Sequence, residues 1–163
     1  MGRREVFAGN WKMYKTYSEA VDLVKSLISG VSVRENREYV VFPPSPYAKA
    51  MADLCKGTPF SVGMQNMYFE KEGAFTGEVS PQMVKDCGCK YILIGHSERR
   101  NIFGESDENV NKKVKAAFEY GLEPMICVGE LLDEREKGLT NDVIKRQVEK
   151  GLKGIMALIQ YHN

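Results

Sequence analysis

Lys90-Tyr91-Ile92-Leu93-Ile94-Gly95-His96-Ser97-Glu98-Arg99-Arg100 decides the fold: an apolar, β-branched run stops at a glycine and charged chemistry follows at once. Tyr91 to Ile94 are continuously apolar, which suits a short strand covered on both faces, as in a parallel sheet. His96 falls just beyond the strand's C-terminal end, and Ser97 and Glu98 read as the first residues of a helix. Backbone N–H groups and the positive end of a helix dipole point at such a position and disfavour an imidazolium. A neutral imidazole can still donate a hydrogen bond to a carbonyl and polarise it. A histidine standing alone there more often only satisfies backbone groups in a turn, so the rest of the chain must decide.

Near the N-terminus, Val6-Phe7-Ala8-Gly9-Asn10-Trp11-Lys12-Met13 repeats the pattern: a short strand, a glycine, then an amide and an ammonium. Gln65-Asn66 and Gly73-Ala74-Phe75-Thr76-Gly77-Glu78 follow, and Cys127-Val128-Gly129-Glu130 comes after the organising stretch. In order and spacing these segments resemble the triosephosphate isomerase family, from about residue 4 to about residue 155. The resemblance implies an α/β fold of parallel βα units from a TIM barrel, acting on a triose phosphate without cofactor or metal. It implies that Asn10 and Lys12 contact the substrate, that His96 is the electrophile between its two oxygens, and that Glu98 holds Lys12. It also implies a homodimer, with Gln65 and Thr76 at the interface, and a reaction of glycolysis and gluconeogenesis: the interconversion of glyceraldehyde 3-phosphate and dihydroxyacetone phosphate.

Composition agrees with a globular chain. Of 163 residues, 43% are hydrophobic and 28% charged, enough apolar material for a core and too much for a disordered segment. The net charge of +1 arises from interspersed charges and gives no pointer to nucleic acid or a membrane surface. No run reaches the roughly 18 apolar residues of a membrane span, and no signal-peptide core follows Met1, so a cytoplasmic protein is expected. Cys55, Cys87, Cys89 and Cys127 include no C-x-x-C pair and suit free thiols in a reducing compartment rather than a zinc site.

Five βα steps are legible. The strand around Glu5 to Gly9 leads to a helix announced by a Thr16-x-x-Glu19 capping box, with Val21, Val24, Leu27 and Ile28 at helical spacing before Gly30. Tyr39 to Phe42 leads to a helix entered at Pro46, with Ala48, Met51, Ala52 and Cys55 inward. Phe60 to Met64 leads to a loop of roughly fifteen residues, long enough to be functional, whose Tyr68, Phe69 and Phe75 need cover before Ser80-Pro81 opens a short helix. After the organising stretch, Ser106 caps a helix with Val110, Val114, Ala117 and Phe118 inward. Met125 to Val128, with Cys127 buried, form the fifth strand, and Thr140 caps a last helix with Ile144, Val148, Leu152 and Ile155 on one side.

A complete barrel of eight such units needs about 250 residues, so residues 1–163 are expected to form one partial barrel domain, with 156–163 departing from the family pattern. An open arc is expected to leave its edge strands unpaired and its apolar inner face exposed. The resemblance implies a carboxylate base on the loop after a sixth strand, beside a Glu-Pro-Val-Trp segment and a Gly-rich lid, and neither occurs here. Glu130 is the remaining carboxylate at the correct end, but proton abstraction tolerates little misplacement. A rival from a different class is a non-catalytic βα module that binds phosphorylated metabolites or pairs with another chain.

Overall fold

Residues alternate between two buried faces along the central strands, and this alternation builds the architecture. In the computed structural model, which describes residues 4–32 and 34–155, five strands lie side by side in chain order: β1 (Glu5–Asn10), β2 (Arg37–Phe42), β3 (Phe60–Met64), β4 (Tyr91–Ile94) and β5 (Glu123–Ile126). All neighbours are parallel. The helices are α1 (Tyr17–Gly30), α2 (Ala48–Cys55), α3 (Pro81–Asp86), α4 (Ser97–Asn101), α5 (Asp107–Glu119), α6 (Leu132–Glu136) and α7 (Thr140–Gly151). Val41, Val62, Met64, Ile92 and Ile94 pack with Ala20, Val24, Met51, Val84, Val110 and Val114 of the helices. Val40, Phe42, Tyr91 and Leu93 point the other way and cluster with Met125 and Cys127. Burial on both faces explains why β4 is apolar without interruption. The result is an incomplete TIM barrel of about five βα units.

Local signals explain the helix starts. The Glu19 carboxylate accepts from the Thr16 N–H at 2.7 Å at the entrance to α1. Ser80 and Ser106 accept from Met83 N–H and Asn109 N–H and cap α3 and α5. At Gly63, any Cβ would collide with the Phe42 ring, so close packing on the inner face requires glycine in β3.

Several expectations are corrected. The last strand ends at Ile126, one pair after which the Cys127 N–H still donates to Ile94 O at 2.9 Å; Cys127 and Val128 lie beyond it, and Cys127 is half-buried. Leu139, not Thr140, occupies the cap position of α7, and the Thr140 hydroxyl instead reaches Glu130. The buried stripe of α7 is Val143, Gln147 and Gly151, continued by Ile155, while Val148 and Leu152 are exposed. Two contacts set that rotation: the Gln147 amide pairs with both the N–H and C=O of Gly129 at 2.9 Å, and Gly151 lets α7 approach Val110. The inner face is not open along its length, since Val40, Phe42, Tyr91 and Leu93 are all at most 5% exposed, whereas Val6 on the edge strand β1 is 39% exposed. The aromatic loop is self-covering in part, with Phe69 and Phe75 packed 4.2 and 4.6 Å from the Tyr68 ring. Residues 156–163, expected to depart from the family, lie outside those described. No described helix is long and apolar enough to cross a membrane.

Candidate active site

A cavity of about 170 Å³ opens at the C-terminal ends of β1, β3 and β4, between Asn10, Lys12, Gln65, Asn66, His96 and Glu98. In parallel α/β folds this is the end where ligands bind. Asn10 ends β1, and its Oδ1 accepts from the Lys12 N–H at 2.9 Å. Lys12 has φ 55°, a left-handed conformation that strains a residue with a side chain by about 1–3 kcal/mol. Asn10 holds this turn from one side. From the other, the Gln65 amide donates to Lys12 O at 2.9 Å and to Phe42 O at 2.8 Å, which ties the loop after β1 to β2 and β3.

The Lys12 ammonium lies 2.7 Å from Glu98 Oε1. Hydrogen bonding to Glu98 raises the lysine pKa above its ordinary value, and the same bond holds the glutamate below its own. His96 is the cap residue of α4, and its Nδ1 accepts from the Glu98 N–H at 3.3 Å. An Nδ1 that accepts from an N–H carries no proton, so this bond assigns the imidazole proton to Nε2, although Glu98 Oε2 also lies 3.5 Å from Nδ1. Because α4 has five residues, this single N–H rather than a long helix dipole sets the tautomer.

Beneath His96 lies a charged group that the sequence reading missed. The Gly95 N–H donates to Glu105 Oε2 at 3.2 Å, Glu105 Oε1 pairs with the Lys113 ammonium, and Lys113 donates to Asn66 Oδ1 at 2.7 Å. Glu105 and Lys113 are both buried. Burial lowers the Lys113 pKa, opposed by its hydrogen bond to Glu105. One signal was present: Lys113 stands three residues after Val110, on the inward stripe of α5, where a lysine needs a buried partner.

Thr76 does not join this cluster; it stands exposed in the loop between β3 and α3. Glu130 borders a separate hollow beside His96, but its Oε1 accepts from the Thr140 hydroxyl at 3.2 Å and lies 3.8 Å from Arg135 Nε. Among the described residues lining the main cavity, Glu98 is the single carboxylate, and it is engaged with Lys12. A larger hollow of about 410 Å³ lies at the opposite end of the sheet, around Thr58, Phe60 and Lys90. Its Lys49 and Lys90 are engaged in ion pairs, and it lies away from the end of the strands where ligands bind in parallel α/β folds, so the smaller cavity is the candidate. Among the described residues no group of three or more His, Cys, Asp or Glu could hold a metal ion.

Comparison with known proteins agrees with this placement. The family model described as triosephosphate isomerase matches residues 5–160, a little beyond the motifs. The chain is 52% identical over 155 residues to the triosephosphate isomerase of Carboxydothermus hydrogenoformans, covering 95% of this chain and 62% of that protein. It is 50% identical over 153 residues to that of Dictyoglomus thermophilum, covering 94% and 61%. The crystal structure of the enzyme from Bartonella henselae superposes with a TM-score of 0.87 at 38% identity, over 93% of this chain and 62% of that one. The chain thus spans about three fifths of the length of the relatives it matches. From the model match across nearly its whole length, this chain belongs to the triosephosphate isomerase family.

Proposed function

We propose that the chain carries the substrate-binding and electrophilic half of a triosephosphate isomerase site, for the interconversion of glyceraldehyde 3-phosphate and dihydroxyacetone phosphate. The observation that carries this reading is that Lys12 and His96, the latter with its Nδ1 taken by the Glu98 N–H, line one cavity. Lys12 attracts the anionic substrate and the charge that develops on an enediolate, and Glu98 fixes its direction. Asn10 contacts the substrate and holds the strained turn. His96 donates from Nε2 to the substrate oxygens in turn, a role in which a neutral imidazole suffices. The role assigned to His96 follows the family, in which a neutral histidine at a helix N-terminus polarises the substrate carbonyl.

The proton on carbon needs a positioned carboxylate, and Glu98 and Glu130 are both engaged elsewhere. The 163-residue chain therefore requires a base from outside these residues for turnover. We further infer a cytoplasmic homodimer in which Thr76 and Gln65 serve the interface, consistent with four free thiols and with the exposed Met13, Tyr14, Ile102 and Phe103. Calorimetric titration of the chain with dihydroxyacetone phosphate tests the site: saturable binding weakened by Lys12→Ala is expected, and no binding by the native chain would contradict it.

A further inference from the structure

The two peptide groups flanking His96 are held by a single residue. Arg100 donates its backbone N–H to His96 O at 3.1 Å, and its side-chain Nε to Gly95 O at 2.7 Å. Its Nη1 reaches Asp107 Oδ1 at 2.6 Å, and its Nη2 reaches Cys127 O at 3.3 Å, so one planar guanidinium joins the end of β4, the end of β5 and the start of α5. The side chains of Arg100 and Asp107 are about nine-tenths buried. Gly95 has φ +72°, and a Cβ there would lie 2.8 Å from Nη2. The residue before His96 is thus a glycine both for its backbone and because the guanidinium passes through the space a side chain would fill.

We propose that Arg100 is the positioning residue for His96: it fixes the plane of the Gly95–His96 peptide and so aims the imidazole and selects its tautomer. The physical chain is short. Gly95 is past the last β4 residue, so its carbonyl needs a partner other than the one a continuing strand would provide. Arg100 supplies it, while Glu105 takes the Gly95 N–H. With the carbonyls on both sides of His96 fixed, the Cα–Cβ bond has one direction, and from there Nδ1 meets the Glu98 N–H. A lysine cannot repeat this, because a point ammonium lacks the fork that reaches Gly95, Asp107 and Cys127 together. The functional meaning rests on the proposed role of His96, but the geometry can be tested without substrate.

The test reads the imidazole nitrogens by long-range ¹H–¹⁵N NMR on the 163-residue chain, in a His162→Gln background that leaves one histidine. The native background is expected to show one acceptor-type and one protonated nitrogen, widely separated. In Arg100→Lys the two signals move toward each other as both tautomers become populated, while circular dichroism remains native. Asp107→Asn loosens the guanidinium without removing its bond to Gly95, and a smaller convergence in the same direction is expected. That variant carries the test if Arg100→Lys does not fold. Unchanged, widely separated signals in folded Arg100→Lys, or in Asp107→Asn, would overturn the proposal, as would averaged signals in the native background. Loss of triose phosphate binding with these signals intact would count against the proposed function alone.

Discussion

The Arg4 guanidinium, at the entrance to β1, donates to Glu123 Oε2 of β5 at 2.6 Å, so the first and last strands of the arc meet through one ion pair. Arg4 also reaches Glu38 at 2.8 Å, Lys90 reaches Glu38 and Glu123 at 2.6 and 3.2 Å, and the Ser61 hydroxyl donates to Glu38 at 3.0 Å. These residues lie in or beside all five strands, at the end opposite the candidate site. The buried Tyr91 hydroxyl lies among them without a hydrogen-bond partner of good geometry, and burial raises its pKa above the ordinary tyrosine value. Such a network at the N-terminal face serves stability and curvature rather than chemistry.

Its members should contribute unequally. Glu38 is largely buried and accepts three partners, so Glu38→Ala is expected to cost about 1–3 kcal/mol. Arg4 is half exposed, and Arg4→Ala should cost no more than about 1 kcal/mol. Urea unfolding of both variants checks the ranking, and a larger loss for Arg4→Ala would refute it.

Acid should weaken the same network. Burial pushes Glu38 and Glu123 upward, but their hydrogen bonds, those from Lys90 foremost, more than offset it and hold both below the ordinary 4.5. A carboxylate depressed in the folded state adds stability above its unfolded pKa and loses it as pH falls through the folded value. Unfolding free energy is therefore expected to fall below about pH 4.5, and less steeply in Glu38→Gln. Identical acid slopes for the two proteins would contradict this.

The buried pair under the site predicts a non-additive result. Glu105→Ala leaves the Lys113 charge and the Gly95 N–H without their partner, and is expected to cost about 3–5 kcal/mol. Replacing both members, as Glu105→Leu with Lys113→Met, should cost less than the single change, because no buried charge remains. A double variant less stable than Glu105→Ala would sink the argument.

Binding and chemistry should separate. Lys12→Ala removes a charge-assisted contact to an anionic ligand, worth about 1.5–3 kcal/mol, so dihydroxyacetone phosphate affinity should fall roughly 10- to 100-fold. His96→Gln keeps a neutral donor whose histidine predecessor acts mostly as charge develops in the transition state, so the loss should be within about threefold. Equal losses in calorimetry would refute the division.

Strand–glycine–charge patterns made β1 and β4 readable and pointed to Asn10, Lys12 and His96 as candidates that the structure brings to one cavity, because local propensity and tertiary placement agree there. What escaped was set by partners distant in sequence. The stripe of α7 turned on Gln147 gripping Gly129, and the apolar run to Val128 overstated β5, which pairs on one side only. Gln65, expected at an interface, is also found bracing Lys12, a contact spanning 53 residues. Arg100 looked like any charged residue of a short helix until its three side-chain contacts were seen.

The most direct measurement of the central claim is a coupled isomerase assay on chain purified from a host lacking its own isomerase, alone and co-expressed with a polypeptide that supplies the remaining three βα units. Without a positioned base the chain alone should show no turnover, since that group contributes about 10²- to 10⁴-fold and a site without the Gly-rich lid does not exclude water. The completed barrel should turn over and lose activity on His96→Gln. Turnover by the chain alone that is abolished by His96→Gln, or activity of the completed barrel that survives His96→Gln, would contradict the account.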